Sequence, residues 1–339
     1  EKKYYARAFL YALAMAAVLL APFVLLDGGY FVYYGDYNAQ QIPFYKTCIE
    51  AVQSGNLGWN WRTDLGANFV GSYSFYTLGS PFFWFAALFP VEISQYLMAP
   101  LLALKIACSS FFAFVYIRRF VTNPQHALIG GLLYAFSGYS MYNIFFNHFH
   151  EAIVFFPLLL IGLEESVVNK RRGALAAAVA INAFVNYFFF IGECVFLVLY
   201  FVIRLIGDSR FRIGVRDFFC LAFEAVCGVL IAGVLFVPSI FQVLDVPRST
   251  SMLNGWDFLF YNKNQRYGLI LEAMFFPGEV PARTIMFEKA DSKWSSVALF
   301  LPLFSMSGVI AMVKGAATEA SRRMKWLRIL LPACLITAL

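Results

Sequence analysis

The feature that most constrains this chain is a set of uncharged apolar runs, each long enough to cross a hydrocarbon layer as a helix. Residues 8–26 form one such run, and residues 127–146, 173–192, 225–244 and 294–313 form four more. A bilayer core of ~30 Å needs about 20 helical residues, because in lipid every backbone polar group must be paired within its own segment. Two further runs are interrupted by charge: 93–117 by Lys105, and 152–168 by Glu164 and Glu165. With 61% hydrophobic and only 14% charged residues, and a mean hydropathy of +0.68, a soluble globular domain is excluded.

The basic residues order these runs. With the N-terminus inside, the inner segments hold Lys2, Lys3, Arg7, Arg118, Arg119, Lys170, Arg171, Arg172, Arg204, Arg210, Arg212, Arg216, Lys314, Arg322, Arg323, Lys325 and Arg328, which is 17 of the 26 Lys and Arg residues. The formal charge of +6 is thereby explained by loops, without a nucleic-acid partner. The segment between Arg172 and Arg204 is basic at both ends, so it must cross out and return, as two short helices meeting around residues 186–193. The expectation is an all-α integral membrane protein of eight spans plus the start of a ninth. Its two large outer loops span residues 27–92 and 239–293. The six cysteines are scattered without a CxxC, which indicates neither a zinc site nor a disulfide framework. The chain opens on Glu1 and stops at Leu339 within an apolar run, so residues 1–339 are expected to be the N-terminal part of a longer protein, with 8–26 an anchor and not a removed signal.

Candidate chemistry gathers in the outer segments. In the stretch YYGDYNAQQIPFY, Asp36 follows Gly35 and precedes a helical pattern whose apolar face is Tyr45, Cys48, Ile49 and Val52. This predicts a short helix lying on the outer leaflet, with Lys46 and Glu50 as a surface pair. Asp36 is then either a general base for an incoming hydroxyl or an Asx-turn or cap residue. The run Asn147-His148-Phe149-His150-Glu151 admits substrate contact, ligation of a divalent metal, or an ordinary polar loop. Glu193 falls at an outer turn, where it is either functional or exposed at the interface. Lys105 and Glu224 fall within spans, where ionisable groups are paired or line a polar cavity; a mutual pair is one reading and snorkelling of Lys105 the other. Arg62, Arg248, Lys263, Arg266 and Arg283 are outer cations open to an anionic headgroup or substrate. Trp59-Asn60-Trp61 beside Arg62 fits a sugar site or an interfacial belt.

Several patches, in order from residue 35 to about 204, carry a resemblance: GDYNAQQIPFY, WNWRTDLGANFVGSYSFYTLGSPFFWFAALFP, LYAFSGYSMYN, FFPLLLIGLEE and NYFFFIGECVFLVLYFVIR. Together they resemble the YfhO family of bacterial membrane proteins. The resemblance implies a GT-C-like helical bundle and a glycosyltransferase that takes a sugar from a polyprenyl-phosphate donor on the outer face of the bacterial cell membrane, with teichoic or lipoteichoic acid as the leading acceptor. It also implies that the acidic residue of the first outer loop, here Asp36, serves in catalysis, and that members are longer than this chain. A lipid phosphate is already a good leaving group, so one base suffices for an inverting displacement, with cations stabilising the departing phosphate. On this reading His148, His150 or Arg62 lies near the phosphate or acceptor and Gln40, Gln41, Trp59 and Trp61 near the sugar. Glu151, Glu193 and Arg266 complete the expected substrate contacts. No cofactor beyond the lipid-linked donor is required, and a divalent metal stays open. The competing classes are a lipid-sugar flippase, which would line its path with polar residues through the membrane depth, and a non-catalytic envelope scaffold.

Overall fold

A computed structural model describes residues 2–33, 35–63, 65–244, 307–308, 310–311, 314 and 325–338. Helix α1 (Lys2–Leu26) leads through a π-turn (Tyr37–Gln41) into α2 (Ile42–Ser54). A short antiparallel hairpin of β1 (Trp59–Asn60) and β2 (Ala67–Asn68) follows, pairing Trp59 with Asn68 and Asn60 with Ala67. Next come α3 (Phe69–Tyr73), a second π-turn (Ser74–Leu78), α4 (Pro81–Ala86) and a 3-10 turn (Val91–Leu97). The remaining helices are α5 (Met98–Ile117), α6 (Pro124–Ala135), α7 (Gly138–Tyr142), α8 (Phe149–Val167), α9 (Ala174–Val185), α10 (Tyr187–Gly207), α11 (Val215–Leu244) and α12 (Leu327–Ala338).

Among the described residues four segments are long and apolar enough to cross a membrane: Lys2–Leu26, Val91–Ile117, Tyr187–Gly207 and Val215–Gln242. Helix α8 has 19 residues but carries Glu151, Glu164 and Glu165. The expected span at 294–313 and nearly all of the loop at 239–293 lie outside the described residues. The uncharged run 127–146 does not form one helix. It breaks after Ala135, where the Ser137 side chain accepts from the Ser140 N–H and starts α7 afresh. A count of charges is blind to such a cap, because serine competes for backbone hydrogen bonds without adding charge. The break expected between residues 186 and 193 falls at Asn186, extended at φ −154°, whose side chain accepts from the Phe189 N–H. Helix α9 is short, as expected, whereas α10 runs for 21 residues.

Long-range contacts sort the loops to two ends. At one end Arg119 and Arg171 share Glu165, Lys170 and Arg172 share Asp217, and Gln125 reaches Tyr4 at the start of α1. The inner segments named from the sequence therefore adjoin one another. Nearby, Arg204 is buried between Glu164 (2.7 Å) and Asp208 (2.6 Å). At the other end the loop between α1 and α5 folds back on the bundle. Ser74 Oγ lies 2.7 Å from Ser239 Oγ of α11, and Gly79 sits so close to α9 that a Cβ there would clash with the Phe184 carbonyl oxygen.

Helix α2 keeps the apolar face read from its spacing, but that face does not lie on lipid. Tyr45, Cys48 and Ile49 are buried in a cluster with Phe69, Phe83, Met98 and Leu102, and Gln53 fastens the helix to the carbonyls of Ala87 and Phe89. Amphipathic spacing identifies a buried stripe without saying whether lipid or protein covers it. Nor does Lys46 pair with Glu50, since Glu50 meets Arg62 at 3.4 Å.

Candidate functional site

The turn before α2 is built to hold Asp36 in a fixed position. Gly35 takes φ +53°, a left-handed conformation that costs glycine little, and turns the chain into the π-turn. Asn38 then closes the loop on itself: its Oδ1 accepts from the Tyr33 N–H and its Nδ2 donates to the Tyr33 carbonyl, both at 3.0 Å. Asn38, and not Asp36, is therefore the side chain that closes this loop. Asp36 precedes the π-turn but makes no capping hydrogen bond, and among the described residues its half-buried carboxylate has no hydrogen bond or ion pair. It lies close to Tyr76 of the second π-turn, whose phenol is raised above its usual pKa first by burial and then by the charge of Asp36. Single π-turns recur at functional sites because they displace a side chain from helical register. Two of them reach the same residue here, His148.

His148 joins these turns to the bundle. Its ring packs edge-on against Phe75 (4.6 Å) and Tyr76 (4.8 Å), and its Nδ1 lies 3.1 Å from Gln41 Oε1. Burial, and then the nearby Lys105 ammonium, hold its pKa well below the usual histidine value, so the ring is neutral. With the Gln41 carbonyl facing the ring, Nδ1 carries the proton and Nε2 presents a buried lone pair. Neither His148 Nε2 nor Gln41 Nε2 has a partner among the described residues.

Beneath His148 sits a polar network anchored on Lys105. Its ammonium donates to the Asn147 carbonyl and Oδ1, each at 3.0 Å, and pairs with Glu151 Oε1 at 2.8 Å, which occupies all three N–H donors. Ser80, the cap of α4, donates to the same Glu151 oxygen at 2.5 Å. Lys105 therefore pairs with Glu151 and does not snorkel. Glu224, at the opposite end, receives a hydrogen bond from Ser166 instead. Sequence spacing could not supply this pairing, since Glu151 lies 46 positions after Lys105.

The His-x-His-Glu run does not converge. His148 turns to Gln41, His150 Nε2 lies 2.8 Å from the Ser140 carbonyl, and Glu151 goes to Lys105. Among the described residues no three His, Cys, Asp or Glu side chains gather around one point. Gln40 is half-buried, and its side chain has no hydrogen bond among the described residues. Trp59 and Trp61 pack edge-on at 5.8 Å and stay 53% and 76% exposed on the hairpin, and the Arg62 side chain is 84% exposed, so none of the three joins the buried cluster. Glu193 is not in a turn but on the second turn of α10, near Tyr134 and Tyr139, with a buried Oε2 that has no partner among the described residues. Arg248, Lys263, Arg266 and Arg283 lie outside the described residues. Tyr76, Ser80 and Lys105 are the site-end residues that sequence reasoning did not place there. Only Ser80-Pro81, a helix-start signal, marks any of them.

The model of the family described as "Bacterial membrane protein YfhO" matches residues 7–268, more than half of the chain. The chain belongs to the YfhO family. No curated protein and no solved structure matches it. The matched residues include the whole cluster built on Asp36, Tyr76, His148 and Lys105. In this YfhO protein the cluster has one carboxylate unpaired among the described residues, aromatic walls from Phe75 and Tyr76, and a histidine lone pair beside an amide donor. Such a site can accept protons from hydroxyls and pack against a sugar ring.

Proposed function

We propose that this YfhO-family protein is a membrane glycosyltransferase that moves a sugar from a polyprenyl-phosphate donor to a cell-envelope acceptor, with teichoic or lipoteichoic acid the leading acceptor. The reaction takes place on the extracellular side of the bacterial membrane, with the N-terminus cytoplasmic. The observation that carries this reading is the Asp36 carboxylate, unpaired among the described residues and set near Tyr76, whose ring packs in turn against the neutral His148. Asp36 serves as the base, taking the proton of the acceptor hydroxyl as that oxygen attacks the anomeric carbon and the lipid phosphate leaves, with inversion. His148 Nε2, a lone pair and not an N–H, suits a hydroxyl of the sugar or acceptor and is repelled by an anionic phosphate oxygen. Gln41 Nε2 donates to a sugar oxygen, with Gln40 beside it. Lys105 has no donor left for the phosphate, so the outer cations, Arg62 and Arg266 among them, stay the proposed partners of that charge.

The test is sugar transfer by the purified full-length protein, supplied with labelled polyprenyl-phosphate sugars and teichoic-acid acceptors. Asp36→Asn lowers turnover by about a hundredfold or more while the protein still inserts. Near-normal turnover in that variant would remove Asp36 from the mechanism. Movement of the labelled lipid between leaflets without transfer would identify a flippase instead.

A further inference from the structure

A cavity of about 290 Å³ opens at the basic end of the bundle, away from the Asp36 cluster. Its walls come from four helices and include Tyr116 of α5, Leu160 of α8, Phe196 of α10, and Leu327 and Leu330 of α12, with Trp326 just ahead of α12. An open pocket with walls this apolar is wetted poorly, and an apolar occupant gains packing against the side chains around it. Yet one wall has a polar requirement. Trp326 is 2% exposed, and its indole N–H has no partner among the described residues. The other polar groups nearby are satisfied: Tyr116 donates to Tyr200, Tyr200 donates to Glu164, and Arg204, 4.8 Å from the Trp326 ring, is held by Glu164 and Asp208. Arg118 holds the carbonyls of Val121 and Thr122, and Arg119 pairs with Glu165.

Two cations next in sequence to lining residues of the cavity differ from these. Lys325 and Arg328 flank Trp326 and Leu327, are exposed, and have no ion pair among the described residues. An occupant must therefore be apolar along most of its length, offer an acceptor oxygen to a buried N–H, and end in negative charge. We propose that this cavity holds one acyl chain of an anionic glycerophospholipid, with an ester or phosphate oxygen on Trp326 Nε1 and the headgroup phosphate on Lys325 and Arg328. This site is independent of the glycosyltransferase reading.

The test is native mass spectrometry of the full-length protein in mild detergent, titrated with phosphatidylglycerol or phosphatidylcholine. Wild type retains one phosphatidylglycerol in preference to phosphatidylcholine. Leu330→Trp, which fills the cavity, weakens that retention by about tenfold or more. Leu330→Ala, which enlarges it, still retains the lipid. Lys325→Gln and Arg328→Gln leave the cavity intact and each reduce the preference for the anionic lipid by about fivefold. Each variant is read only as a monodisperse peak on size exclusion, and the two charge variants decide the matter should Leu330→Trp fail that criterion. Equal retention of the two lipids by wild type, unchanged retention in Leu330→Trp, or an unchanged preference in both charge variants overturns the proposal.

Discussion

Lys105 Nζ lies 2.8 Å from Glu151 Oε1 with both side chains almost fully buried, and the pair ties span α5 to the start of α8 and, through Ser80, to the loop helix α4. Removing one partner strands a charge in a low-dielectric interior. Glu151→Gln and Lys105→Met are each expected to destabilise the protein by about 3–5 kcal/mol. The double variant Lys105→Met with Glu151→Leu regains much of that loss, because no charge is left unpaired. Thermal unfolding in detergent reads all three; a double variant no better than the singles would argue against the pair as the source.

Asn38 holds the Asp36 loop through two hydrogen bonds to Tyr33. Asn38→Ala is expected to cost about 1–2 kcal/mol, as both are lost on an accessible turn. Asp36→Asn removes no hydrogen bond among the described residues and is expected to shift stability by about 0.5 kcal/mol or less. Unfolding curves for the two variants side by side separate a scaffold residue from a chemical one.

His148 imposes a pH dependence whose sign follows from its lowered pKa. As pH falls below the ordinary histidine value of ~6.5, the unfolded chain takes up the proton first and the folded ring resists it. The stability of the neutral buried ring is therefore complete above about pH 6.5 and is lost below it, at up to ~1.4 kcal/mol per pH unit. His148→Gln is expected to flatten the decline in thermal midpoint between about pH 7 and 5.5. Parallel profiles for wild type and variant would mean that other groups set the slope.

Gly79 is where the end of the second π-turn touches α9, and an added Cβ would clash with the carbonyl oxygens of Phe184 and Val185. Backbone on both sides leaves little room to yield. Gly79→Ala is expected to cost about 1–3 kcal/mol. By shifting Tyr76 it should also lower activity more than stability alone explains, which sugar transfer measured well below the variant's melting temperature would reveal.

Much of this architecture was legible because membrane helices obey local rules. An uncharged run of about 20 residues must satisfy its backbone internally, and so α1 and α11 appear where residues 8–26 and 225–244 predict them. The i, i+3, i+4 spacing found α2, the basic ends of the segment between Arg172 and Arg204 required a break within residues 186–193, and basic residues sorted the loops that the structure gathers at one end. The Asp36 loop was equally visible as a glycine turn before a helix. What only the tertiary structure decided was partnership. Lys105 takes Glu151 and not Glu224, Asn38 and not Asp36 closes the turn, and the stripe of α2 meets protein and not lipid. The physical reason is range: periodicity and capping act across a few residues of one segment, whereas a buried charge or ring is satisfied by whichever group packing brings to it from far along the chain.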